Sequence, residues 1–168
     1  MKIVVVSDTH MPRMAKKLPD RLVRDLRDAD AILHAGDWTQ LAVWEALSAY
    51  APTDGVAGNN DGDRITAKFG HRKILTFGGV RIGIVHGHIG GGRASTETNA
   101  FAAFAGERVD AVIFGHSHIP VMKERDGILM FNPGSPTDKR RQKHYSFGIF
   151  RIDDGRLRAE HILYTDKK

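Results

Sequence analysis

The chain has 168 residues, 41% of them hydrophobic and 27% charged, with a formal charge of +5 and no cysteine. That length suits one domain, residues 1–168, with a sizeable core. The missing cysteines exclude disulfides, thiolate metal sites and cysteine nucleophiles. The positive excess favours anionic substrates but is too modest to imply nucleic acid by itself. Only four apolar residues separate Lys2 from Ser7, too few for a secretory leader, and no apolar run approaches a membrane span. A cytoplasmic location is therefore expected.

Ile3 to Val6 is an unbroken β-branched run, which predicts a strand buried on both faces. It runs into Ser7-Asp8-Thr9-His10, where Asp8 and His10, two residues apart, project to one side. Leu18, Leu22, Val23 and Leu26 recur at helical spacing behind Pro19. Ala31 to Ala35 predicts a second buried strand, ending in Gly36-Asp37. Leu41, Val43, Trp44 and Leu47 predict a helix with Thr39 as its N-cap, and both tryptophans read as packing residues. Thr53 to Ala57 predicts a third strand, followed by the turn-rich loop Gly58-Asn59-Asn60-Asp61-Gly62-Asp63. Strands alternating with helices imply a parallel sheet.

Beyond residue 70, Arg72–Phe77 and Val80–Val85 flank Gly78-Gly79, a hairpin signal. The second of these runs ends in His86-Gly87-His88 and a glycine-rich stretch with Arg93 as a candidate phosphate contact. Ser95 to Gly106 predicts a helix with Phe101 and Phe104 inward. Val109 to Phe114 predicts another buried strand, running into Gly115-His116-Ser117-His118. Two further hairpins follow, Pro120–Arg125 with Ile128–Phe131 and Tyr145–Ile152 with Arg156–Tyr164. The order fits an α/β fold with two mixed sheets sandwiched between helices.

Five strand ends thus supply Asp8, His10, Asp37, Asn59, His86, His116 and His118. Strand ends of an α/β sheet converge, and imidazole, carboxylate and amide groups all ligate divalent transition metals. Seven such groups exceed the needs of one ion and suit two ions sharing a carboxylate, for which Asp37 is the candidate bridge. His34, His71, His144 and His161 lie outside these motifs and read as structural or surface residues. Asp61 reads as a residue orienting its loop, and Ser117 as part of a turn. Lys139-Arg140-Arg141-Gln142-Lys143 reads as a solvated basic loop, with a substrate-phosphate role left open.

Taken in order, Asp8-x-His10, Gly36-Asp37, Gly58-Asn59, His86-Gly-His88 and Gly115-His116-Ser-His118 resemble the calcineurin-like metallophosphoesterases. The short chain and Asn132-Pro133-Gly134-Ser135 resemble that family's small phosphodiesterase branch. The resemblance implies a four-layer α/β sandwich and two divalent ions per chain, manganese first, with iron, zinc or nickel as alternatives. It places one ion on Asp8, His10, Asp37 and His118, and the other on Asp37, Asn59, His86 and His116. A hydroxide shared by the two ions would attack a small-molecule phosphoester. Many members carry a histidine where this chain has Asn60, so diester or activated substrates are expected, with Asn60 and His88 the candidate catalytic residues around the leaving group. The alternative is a non-catalytic scaffold, for which the retromer subunit of this fold is the precedent. The oligomeric state, homo-oligomer included, stays open.

Overall fold

The computed structural model describes residues 1–90 and 95–168, so the phosphate contact expected of Arg93 lies outside the described residues. One sheet holds β1 (Lys2–Val6), β2 (Ala31–His34), β3 (Thr53–Gly55), β9 (Tyr145–Asp153) and β10 (Arg156–Tyr164), in the order β10-β9-β1-β2-β3. The other holds β4 (Arg72–Phe77), β5 (Val80–Val85), β6 (Ala111–Ile113), β7 (Val121–Arg125) and β8 (Ile128–Asn132), in the order β4-β5-β6-β8-β7. Each sheet is mixed: β1-β2-β3 and β5-β6-β8 run parallel, and the outer strands β9, β10, β4 and β7 pair antiparallel. The helices are α1 (Asp20–Leu26), α2 (Leu41–Ser48), α3 (Asp63–Phe69) and α4 (Thr96–Ala102).

Three apolar layers show how the sheets and helices stack. β1 alternates, sending Val4 and Val6 outward to Leu22, Leu47 and Phe69 of α1, α2 and α3. Its Ile3 and Val5 turn inward, onto Ile82, Ile84 and Ile113 of the second sheet. On the far side, Val112 and Met130 meet Ala100 and Phe104 at α4. A strand with both faces covered has no solvent side, which is why Ile3 to Val6 of β1 shows no polar alternation. Each fully buried Ile or Val contributes about 1.5–3 kcal/mol relative to an exposed one. The architecture is the expected four-layer α/β sandwich.

The structure corrects several local expectations: α4 ends at Ala102 rather than Gly106, and β6 is confined to Ala111–Ile113 of the expected Val109 to Phe114 run. Gln40, not Thr39, is the N-cap of α2. Thr39 is instead held at φ 74° with its hydroxyl on the Met11 carbonyl. The third strand stops at Gly55, and the turn-rich loop leads straight into α3, a helix not foreseen from the sequence. The two tryptophans do pack. Trp38 is fully buried, stacked between His34 at 3.8 Å and Phe69 at 4.6 Å. Half-buried Trp44 donates its Nε1–H to the Thr53 carbonyl.

Candidate metal centre

The parallel cores of both sheets end at one rim. From the first sheet, β1 delivers Asp8 and His10, β2 delivers Asp37, and the loop after β3 delivers Asn59. From the second, β5 delivers His86, and β6 delivers His116 and His118. The chain must turn sharply as it leaves each strand. Asp8, His10, Asp37, His116 and His118 all have positive φ, between 44° and 70°. Non-glycine residues rarely adopt this conformation, and it clusters at functional sites where the surroundings enforce it.

Glycines beside these residues let the turns approach one another. A Cβ at Gly58 would sit 2.2 Å from Asp37 Oδ1, and one at Gly115 would sit 2.0 Å from Ser7 Oγ. The Gly-Asp, Gly-Asn and Gly-His pairs of the sequence therefore have a steric reason: one residue carries chemistry while its neighbour makes room.

Five of the seven side chains form a buried cluster. Asp8 Oδ1 lies 3.5 Å from His118 Nε2 and 3.7 Å from both His10 Nε2 and His86 Nε2. Asp37 Oδ2 lies 3.4 Å from His10 Nε2 and 3.3 Å from His86 Nε2. In Asp8, Asp37, His86 and His118 the remaining polar atoms are already committed. His86 Nδ1 donates to the Ala35 carbonyl at 2.7 Å, and His118 Nδ1 to that of Asp138 at 2.6 Å. Asp8 Oδ2 accepts from Ser7 Oγ and the His116 N–H. What remains is Asp8 Oδ1 and the Nε2 atoms of His10, His86 and His118, all buried and without a hydrogen-bond partner. Buried polar atoms of a folded protein are nearly always satisfied. Unpartnered donors gathered around Asp8 are what cations require: Asp8 forms one group with His10 and His118 and another with Asp37 and His86, and within each group the donor atoms lie within 4.8 Å of one another.

The electrostatics agree. Burial pushes the Asp37 carboxyl up, but His86 and the two hydrogen bonds from Asn60 outweigh it and leave it below the ordinary carboxylate value. Burial likewise opposes ionisation of Asp8, and His10, His86 and His118 together hold it below the usual range. Burial lowers the pKa of His86, yet the facing Asp37 and Asp8 carboxylates raise it to about 9. Two buried carboxylates draw positive charge to this point.

The remaining predicted residues lie further out. Exposed Asn59 and half-buried His116 face each other, with Oδ1 and Nδ1 3.1 Å apart. Asn60 donates its backbone N–H to Asp37 Oδ1 and its Nδ2 to Asp37 Oδ2, both at 2.9 Å, so it grips the carboxylate. His88 is half-buried beside His86, its Nδ1 unpartnered, and burial together with His86, His71 and His116 lowers its pKa to about 4. Asp61 orients its loop: its carboxylate accepts the N–H groups of Asp37, Thr39 and Gly58, each at 2.8 Å. Ser135 and Thr137 donate to the carbonyls of Asp8 and Thr9, which fixes the turn after β1. Thr137 carries no signal in the sequence, because a buried hydroxyl bonding backbone has no local signature. Ser117 Oγ accepts from Asn132 Nδ2 and the Ile119 N–H, within its turn.

Residues 1–155 match the family model of the calcineurin-like phosphoesterase superfamily domain. The chain belongs to that family. A probable metallophosphoesterase of Methanothermobacter thermautotrophicus is 33% identical over 162 residues, covering 96% of this chain and 92% of its own. A phosphodiesterase of Methanocaldococcus jannaschii is 28% identical over 148 residues, covering 80% of this chain and 83% of its own. Among solved structures, the wild-type Vps29 of Entamoeba histolytica complexed with zinc has the same fold, with a TM-score of 0.74 at 23% identity, over 97% of this chain and 99% of that one. Metallophosphoesterases use divalent metals, and this member carries a donor set fitted to them.

Proposed function

We propose that this metallophosphoesterase is a phosphodiesterase acting on a small-molecule ester at two divalent cations, manganese the first candidate. The reading rests on the four buried, unpartnered donor atoms that converge between the two carboxylates. One cation is assigned to Asp8, His10, Asp37 and His118, the other to Asp37, Asn59, His86 and His116. Asp37 Oδ2, 3.4 Å from His10 and 3.3 Å from His86, reaches one histidine assigned to each cation and suits the bridge. Bound there, the cations would supply Lewis acidity toward the phosphoryl oxygens and lower the pKa of the attacking water.

The chain's own residues do the rest. Ala35 and Asp138 carbonyls fix the ring orientation of His86 and His118, so that Nε2 of each faces the centre. Asn60 and Asp61 together lock the Asp37 turn to the Asn59 loop. Asn60 is thus assigned a positioning role, not a proton-transfer one. With its pKa near 4, His88 is neutral at pH 7 and keeps one N–H to offer an ester oxygen. Arg140, on the basic loop, lies close enough to His116 for its charge to be felt there, and it adds attraction for an anionic ester. Among the described residues no helix is long and apolar enough to cross a membrane, and we assign the cytoplasm as the working compartment.

The test is turnover of an aryl phosphodiester by the manganese-loaded protein, with Asp37→Ala as control. Turnover that disappears in the variant supports the enzyme. No turnover in either protein supports the non-catalytic scaffold.

A further inference from the structure

Beside the metal centre, a cavity of about 430 Å3 lies between α4 and the segment leaving β5. His86 and His88 belong to its wall, so it lies beside the cluster. Its other walls include His71, Val85, Asn99, Ala102 and Ala103. Close packing builds it: a Cβ at Gly87 would strike Thr96 at 2.6 Å, and one at Gly90 would lie 2.0 Å from Asn99 Oδ1. Asn99 Nδ2 donates to the Gly87 carbonyl at 3.1 Å and pins the His86–Gly90 segment to the helix. The His71 and His88 rings, both in its wall, meet edge to face at 5.7 Å. Arg72, the one cation with a permanent charge among the described residues of the lining, is spent elsewhere. Its guanidinium lies over the Phe104 ring at 4.6 Å, donates to the Ala103 carbonyl and pairs with Glu107. The cavity therefore combines an apolar floor, imidazole walls and one unpartnered buried atom, His88 Nδ1. Its volume falls within the range of small-ligand sites.

We infer that this cavity is the specificity pocket for the ester substituent, and that it selects a flat, uncharged aromatic group attached to the phosphoryl centre. The inference rests on the phosphodiesterase reading above. A ring in the cavity packs face-on against one of the His71 and His88 rings and edge-on against the other, while the phosphoryl group stays at the buried carboxylate–imidazole cluster.

Binding, rather than turnover, tests it. Phenylphosphonate and methylphosphonate are titrated calorimetrically into zinc-loaded wild type and Ala102→Trp. Ala102 is an exposed helical residue at the cavity wall, so the larger ring fills the space without disturbing the core. Wild type is expected to bind phenylphosphonate about tenfold more tightly than methylphosphonate. In Ala102→Trp that preference vanishes while methylphosphonate affinity stays within about twofold. Amide shifts at Thr98 and Asn99 on adding phenylphosphonate, but not methylphosphonate, give a second readout in wild type alone. Equal affinity of the two probes in wild type, or a preference that survives Ala102→Trp, overturns the pocket and leaves the phosphodiesterase reading standing. Binding of neither probe overturns both.

Discussion

The buried five and the outer pair of the rim differ in how firmly the fold holds them. Asp8, His10, Asp37, His86 and His118 are all buried, and for Asp8, Asp37, His86 and His118 the atoms not facing the centre are tied to backbone or neighbouring side chains. Asn59 and His116 are exposed or half-buried, and at the rim they are tied chiefly to each other. Ligands fixed before binding lose little entropy when a cation arrives, whereas free ones must be ordered. The buried five should therefore set cation affinity, and the outer pair should tune one of two sites.

The sharpest way to break this contrast is Asp37→Ala. It removes the group between His10 and His86, and turnover of an aryl diester is expected to fall by about 10³-fold or more, some 4 kcal/mol of transition-state stabilisation. Steady-state kinetics at saturating manganese checks it. Asp61→Ala comes next. Three backbone N–H groups lose their acceptor, so manganese affinity should weaken by about 10–100-fold and stability by about 1–3 kcal/mol, read by calorimetry and urea melts. His116→Ala should be milder and selective. One of two binding steps weakens by about tenfold while the other stays within about threefold.

Much of this rim was legible in the sequence because each strand announces itself as a β-branched run and each candidate ligand follows a strand end. The hairpin Arg72–Val85 and the strand Arg156–Tyr164 have the limits read from hydrophobic runs and Gly or Asp-Gly turns. The α3 helix was hidden because Gly58–Asp63 is rich in turn formers and the helix has only seven residues. Its one signal is the Ile65–Phe69 spacing behind Asp63. The left-handed backbone at Asp8, His10 and Asp37 has no local signature at all, since tertiary bonds such as Asp8 N–H to the Gly36 carbonyl impose it. The grip of Asn60 on Asp37 was hidden for the same reason: the two lie 23 residues apart.

A smaller effect separates the rim from the wall behind it. His34 is fully buried, accepts the Gly36 N–H on Nδ1 at 3.0 Å, and burial lowers its pKa to about 3. The unfolded chain binds this proton at an ordinary pKa near 6.5, and the folded one does not. Its contribution to stability is thus complete above about pH 6.5 and declines as pH falls toward 3. Urea midpoints of metal-free protein between pH 7 and 4 should fall, and His34→Leu should flatten that decline.

Cation stoichiometry is the most direct check on the central claim. Elemental analysis and calorimetry of manganese-loaded protein should find two ions per chain in wild type and loss of high-affinity binding in both Asp8→Ala and Asp37→Ala, with circular dichroism unchanged. A wild type that takes up no cation, or variants that bind as wild type does, would contradict it.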